Sequence, residues 1–74
     1  MTKDDLYFYI ETKKTLEFKF QNKTYTLYYD KDSRGNDVIM FGRLYEAESF
    51  SSYGELMNKA KIDNYHFKDL LGDI

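Results

Sequence analysis

Cysteine is missing from this chain, and so are proline and tryptophan; histidine occurs once, at His66. Without cysteine there is no disulfide, no thiolate nucleophile and no structural zinc site of the usual thiolate kind. A lone histidine leaves one side chain whose ordinary pKa lies near neutrality. The four glycines stand apart from one another, so no clustered glycine motif that cradles a phosphate is present. No proline-rich linker, low-complexity segment, internal repeat or domain boundary interrupts the 74 residues, which are read as one domain. A dominant charge sign is lacking too: 11 basic and 13 acidic residues are spread along the whole length, for a formal net charge of -2. That balance offers neither the basic footprint of a duplex-binding protein nor the dense acidity of a DNA mimic. The first residues, MTKDDLYFYIETKK, are charged and broken in their apolar run, so they read as neither a signal-peptide core nor a membrane span, and a cytoplasmic location is expected.

What the chain has in quantity is aromatic rings, eight Tyr and six Phe. A domain this short hides only roughly 60% of the surface its unfolded chain exposes, so the core is thin. Each ring can bury about 150–250 Å², which lets few large side chains offset the entropy of ordering the chain. The remaining margin is small, and subunit association is a common remedy for a core of this size. A homodimer is therefore expected on size alone.

The pattern along the chain is that of an α+β domain. Thr2 followed by Asp5 caps a first helix, and Leu6, Tyr9, Ile10 and Lys13 recur on one side of it, over about residues 3–12. The period then changes to two in TLEFKFQNKTYTLYY, a hairpin. With Asn22-Lys23 as its turn, Phe20 opposes Tyr25, Phe18 opposes Leu27 and Leu16 opposes Tyr29 on one side. Glu17, Lys19, Gln21, Thr24, Thr26 and Tyr28 take the other. A three-residue loop with a bulge is the alternative turn. After DKDSRGND comes DVIMFGRLYE (37–46), β-branched and aromatic enough for a third strand. Val38, Met40 and Leu44 point one way; Ile39, Phe41, Arg43 and Tyr45 point the other, and Ile39 and Phe41 are the favoured core pair. Gly42 marks a bulge or a close approach of another backbone. Ser52 and Glu55 have the spacing of a capping box before Leu56, Met57 and Ala60, which predicts a helix to about Lys61. The segment IDN breaks it, and Phe67, Leu70, Leu71 and Ile74 then suggest a last short helix. The expected architecture is a three-stranded antiparallel meander with one helix before it and two short helices after it, packed on one face.

The stretches LEFKFQNKTYTLYY, FSSYGELMNKAKID and FKDLLGDI resemble a group of short uncharacterised proteins from Gram-positive bacteria and their prophages or mobile elements. The resemblance covers about residues 15–74 and rests on hairpin, capping and helix signals. It implies a bacterial cytoplasmic setting. It carries no activity and no site residue.

Candidate chemistry is sparse. The three aspartates of DKDSRGND, Asp30, Asp32 and Asp37, invite comparison with a calcium loop. Arg34 occupies a ligand position of the EF-hand pattern, and Phe41 stands where the bidentate glutamate belongs. A solvated hairpin loop is the better reading, with a weak cation site of another kind as the remainder. His66 with Asp69 and Ser51 or Ser52 has the residue types of a hydrolytic triad, but no oxyanion-hole or nucleophile-elbow signal, and both serines have a capping role. Asp69 and Asp73 would share a helix face as solvated carboxylates. No cofactor is expected and no enzyme.

The favoured reading is a non-enzymatic protein-binding or self-associating module. A thin sheet whose third strand is apolar on both faces has more greasy surface than three short helices can cover, so Tyr28, Val38, Met40 and Leu44 form the expected interface. An exposed edge of the first or third strand offers a second route, strand addition. The alternative is single-stranded nucleic-acid binding, with Tyr28 stacking bases and Lys19 and Arg43 neutralising phosphates. Against it stand Glu17 in their midst, the negative net charge and the absence of any RNP-type motif.

Overall fold

In the computed structural model, which describes Met1–Ile74, the first helix starts where the capping signal lies. The Thr2 hydroxyl accepts from the Asp5 amide at 3.0 Å and the Asp5 carboxylate accepts from the Thr2 amide at 3.0 Å, so two amide donors at the helix start are satisfied reciprocally. Helix α1 (Lys3–Glu11) buries Leu6 completely and Ile10 in part. The Thr12 hydroxyl donates back to the Phe8 carbonyl at 2.7 Å, and Lys13, at φ 53°, turns the chain out of the helix.

Strands β1 (Leu16–Phe20) and β2 (Lys23–Lys31) form the expected hairpin in a shifted register. The turn is Gln21-Asn22, both left-handed at φ 50° and 65°, and the pairs are Leu16 with Leu27, Phe18 with Tyr25 and Phe20 with Lys23. This corrects the Asn22-Lys23 turn by a slide of two residues. Side chains repeat with period two, so the slide changes every partner and no face. Either placement forces one long side chain into a left-handed conformation, so the turn itself decides little. The observed register stacks Phe18 on Tyr25 with ring centroids 5.7 Å apart. It also leaves Tyr29 beyond the end of β1, where its hydroxyl lies 2.7 Å from the Lys14 carbonyl oxygen and 3.1 Å from that of Tyr9. The sheet is thereby tied to the end of α1.

Strand β3 (Asp37–Arg43) pairs with β2 and buries Ile39 and Phe41, the favoured pair. It stops short of the expected end at Glu46. The Glu46 amide donates to the Arg43 carbonyl at 2.8 Å, and Tyr45, at φ 71°, reverses the chain into β4 (Glu48–Phe50). The sheet is thus a four-stranded meander, β1-β2-β3-β4, not a three-stranded one. The added strand is three residues long and carries one large apolar side chain, Phe50, too little for a period to be read. It also occupies the edge of β3, which is closed to strand addition.

Helix α2 (Tyr53–Lys59) starts at Ser52, whose hydroxyl accepts from the Glu55 amide at 3.1 Å. The Glu55 carboxylate takes the hydroxyl of Ser51. The second helix expected after it is absent. Strands β5 (Lys61–Ile62) and β6 (Tyr65–His66) form a small hairpin around Asp63, at φ 56°, and two 3-10 turns, Phe67–Asp69 and Leu71–Asp73, complete the chain. Phe67, Leu70, Leu71 and Ile74 satisfy a three-residue spacing as well as an α-helical one. Leu70 donates to the Phe67 carbonyl at 3.0 Å and Ile74 to that of Leu71 at 3.2 Å, the 3-10 pattern.

One core results, on one face of the sheet. Tyr25, Leu27, Ile39, Phe41 and Phe50 point into it and meet Leu6 from α1, Leu56, Met57 and Ala60 at α2, and Ile62, Phe67 and Leu71 from the C-terminal segment. Phe41 and Phe67 stack with centroids 4.2 Å apart, and Phe18 lies 6.2 Å from Phe67, so the rings form the centre of the packing. No helix is long and apolar enough to cross a membrane.

Candidate interaction surface

The core face of the sheet takes every second residue of each strand, and the others form an outer face. Across it run Glu17, Thr26 and Gly42; Lys19 and Thr24; Tyr28, Met40 and Ser49; and Asp30 with Val38. None of these residues is buried. Tyr28 and Met40 oppose each other directly, Val38 lies two positions along β3 on the same face, and all three are half-buried. They form a small apolar patch between the charged residues of β1 and the short β4. Leu44 does not continue it as a strand residue. It sits in the Arg43–Glu46 turn beyond the end of β3, 39% exposed, next to Tyr45, which is 94% exposed. Three of the four expected interface residues thus share one face and the fourth stands at its end.

The residues of the alternative, nucleic-acid surface are not brought together. Arg43 opposes Tyr25, on the core side of the sheet, whereas Lys19 and Tyr28 are on the outer side. Lys19 opposes Thr24, four residues from Tyr28 along β2, a separation of about 13 Å at strand rise. No ring on this face has a cation beside it.

The aspartates of the β2–β3 loop are occupied by the protein itself. Asp32 accepts from the amides of Arg34 at 2.8 Å and Asn36 at 2.9 Å, and these bonds, Asn36 foremost, lower its pKa from the ordinary aspartate value. Asp37 lies 3.1 Å from the Lys31 ammonium and 3.2 Å from that of Lys13, whose hydrogen bonds and charges lower its pKa in turn. Asp30 accepts from the Lys31 amide at 2.8 Å. These carboxylates hold the turn and the lysines, and no three His, Asp or Glu side chains converge as a metal-holding group.

Nor do the triad residues assemble. Ser51 and Ser52 are both spent on Glu55 at the start of α2, and Nδ1 of His66 is buried without a partner. Asp69 and Asp73 fall in separate 3-10 turns, which removes the shared helix face. A cleft of about 390 Å³ opens at the end of the sheet between β3–β4 and α2–β5. Arg43, Lys59 and Lys61 line it together with Glu46, Glu48 and Asp63, so its charges oppose one another and favour no ligand of single sign.

The exposed aromatics of α1 were not singled out from the sequence. Tyr7 meets Tyr53 of α2 edge to face at 5.1 Å, and Phe8 lies under the Lys14 ammonium at 5.1 Å. Both are solvent-side contacts that brace the helix, and the helical period alone could have placed them outside. No protein-family model matches the chain, and neither a curated protein nor a solved structure matches it.

Proposed function

We propose that this chain is a non-enzymatic module that works by contact with another protein molecule, either a partner or a second copy of itself. The observation that carries this reading is the one-sided fold. Both helices and the C-terminal segment pack on the same face of a four-stranded sheet, and the opposite face, with Tyr28, Val38 and Met40 at its middle, is left uncovered. A bound molecule on that face would cover the apolar patch that these three side chains form. The setting implied by the resemblance, a bacterial cytoplasm or a prophage-derived protein, accords with a small partner-binding chain. Static light scattering from micromolar to millimolar concentration, with a pull-down of candidate partners, tests it. Association of the native chain that is weakened by Met40→Lys, with an unchanged circular dichroism spectrum, supports the reading. A chain that stays monomeric and retains no partner sinks it.

A further inference from the structure

Strand β1 is the longer free edge of the sheet, five residues against the three of β4, and it pairs on one side only, with β2. Which of its main-chain groups point outward follows from the hairpin. The turn is a two-residue one, so Phe20 and Lys23 close it as a hydrogen-bonded pair. Antiparallel pairs alternate, which makes Phe18–Tyr25 and Leu16–Leu27 bonded pairs as well. The Leu44 amide donates to the Thr24 carbonyl at 3.0 Å, so Thr24 faces β3, as the alternation requires. The N–H and C=O of Glu17 and Lys19 are therefore the ones turned away from the sheet.

From this placement, and resting on the reading that the chain works by contact with another molecule, we infer that a second copy of this chain pairs antiparallel with β1, about a two-fold axis at Phe18. In that register Glu17 opposes Lys19 of the second copy and Lys19 opposes its Glu17. Each such pair exchanges both of its outward main-chain bonds. The two side chains of each pair are of opposite sign and stand on the same outer face, which favours the pairing; any register that set like charges opposite would be opposed. The charge pattern of β1 is thus complementary to itself only when antiparallel, with Phe18 at the centre. On the core face Phe18 meets its own symmetry copy, and Leu16 meets Phe20. All three are only half-buried in the single chain although they pack against the core, so the second copy covers what they still expose. The sheet then runs unbroken through both molecules, and the outer faces join into one wider surface. A closed two-fold contact of this kind uses up the edge and does not propagate into a filament.

The test is charge reversal with rescue. Lys19→Glu sets glutamate against glutamate at both symmetric positions, Glu17→Lys sets lysine against lysine, and each is expected to weaken the dimer by about tenfold or more. The double variant Glu17→Lys/Lys19→Glu restores opposite signs and is expected to return the affinity to within about threefold of native. Within one molecule both residues oppose threonines, so the reversals leave the hairpin unchanged. In hydrogen exchange, the Glu17 and Lys19 amides slow as concentration rises. Single reversals that dimerise as tightly as the native chain, while Met40→Lys dissociates it, overturn the edge pairing and leave the outer-face reading standing. A native chain that is monomeric to millimolar concentration, with these amides protected only by an added extended peptide, overturns the second copy as occupant. A double variant that fails to recover while keeping the native circular dichroism spectrum overturns the register.

Discussion

An ideal Cβ on Gly42 would lie 3.0 Å from the Cα of Ala47 and 3.1 Å from the carbonyl oxygen of Glu46, both main-chain atoms of the segment folded back beside β3. Its φ of 154° is also one that side chains rarely adopt. Gly42→Ala is therefore expected to cost about 1–3 kcal/mol in urea unfolding. Gly72 has no atom within 4 Å of an added Cβ and no positive φ, so Gly72→Ala should be neutral or stabilise by up to about 1 kcal/mol. Equal losses at both positions would refute the steric explanation. The role of Gly42 was legible because a lone glycine in an apolar strand pattern has few other reasons to be there. Tyr29 was not legible in the same way. Its hydroxyl reaches the Lys14 and Tyr9 carbonyls only because the hairpin register leaves it beyond β1. Tyr29→Phe should lower stability by about 0.5–1.5 kcal/mol, and amide exchange at the end of α1 should quicken.

Elements declared themselves where a local rule had one solution. The capping residues Thr2 and Asp5 fixed the start of α1, and alternation in TLEFKFQNKTYTLYY fixed which side of the hairpin faces the core. The turn did not declare itself, since a slide of two residues preserves both faces and only contacts distant in sequence choose between the registers. The C-terminal segment misled because Phe67, Leu70, Leu71 and Ile74 suit a three-residue and a 3.6-residue period alike. Phe67 and Leu71 of that set are nonetheless buried, while Leu70 and Ile74 are only partly so. Of the four residues proposed for the interface, Tyr28, Val38 and Met40 have places that follow from alternation, whereas the place of Leu44 depended on where β3 ends. The observed turn makes a prediction. Gln21 and Asn22 hold the left-handed pair that Asn-Gly adopts with least strain, so Gln21→Asn with Asn22→Gly should raise stability by about 1 kcal/mol. Lys23→Gly separates the two turns: Lys23 is the first residue of β2, where glycine should cost stability, whereas in an Asn22-Lys23 turn it would complete an Asn-Gly pair and raise it, and thermal unfolding distinguishes the two.

At the scale of the whole molecule, four carboxylates carry a pH dependence, because Asp5, Asp32, Asp37 and Glu55 all have pKa values lowered in the folded chain. The causes differ. The Thr2 amide and hydroxyl act on Asp5, the loop amides on Asp32, the ammonium groups of Lys31 and Lys13 on Asp37, and the Ser51 hydroxyl on Glu55. A group held below its unfolded pKa binds its proton less readily when folded, so its contribution is complete above the unfolded value and is lost as pH falls through the folded one. Unfolded aspartate and glutamate titrate near 3.8 and 4.5, so the melting temperature should fall as pH drops through and below that range. All four groups are exposed, which keeps each contribution small, but they should respond to salt differently. Asp37 depends on two solvent-exposed charges that added salt screens. Asp32 depends on short bonds to amides within its own loop, which screening touches little. Raising ionic strength should therefore erase most of the difference in acid sensitivity between the native chain and Asp37→Asn. The difference between the native chain and Asp32→Ala should survive. Melting curves at low and high salt across the acidic range check both, and a salt response that is the same for the two variants would mean that the loop and the lysines are not separate devices.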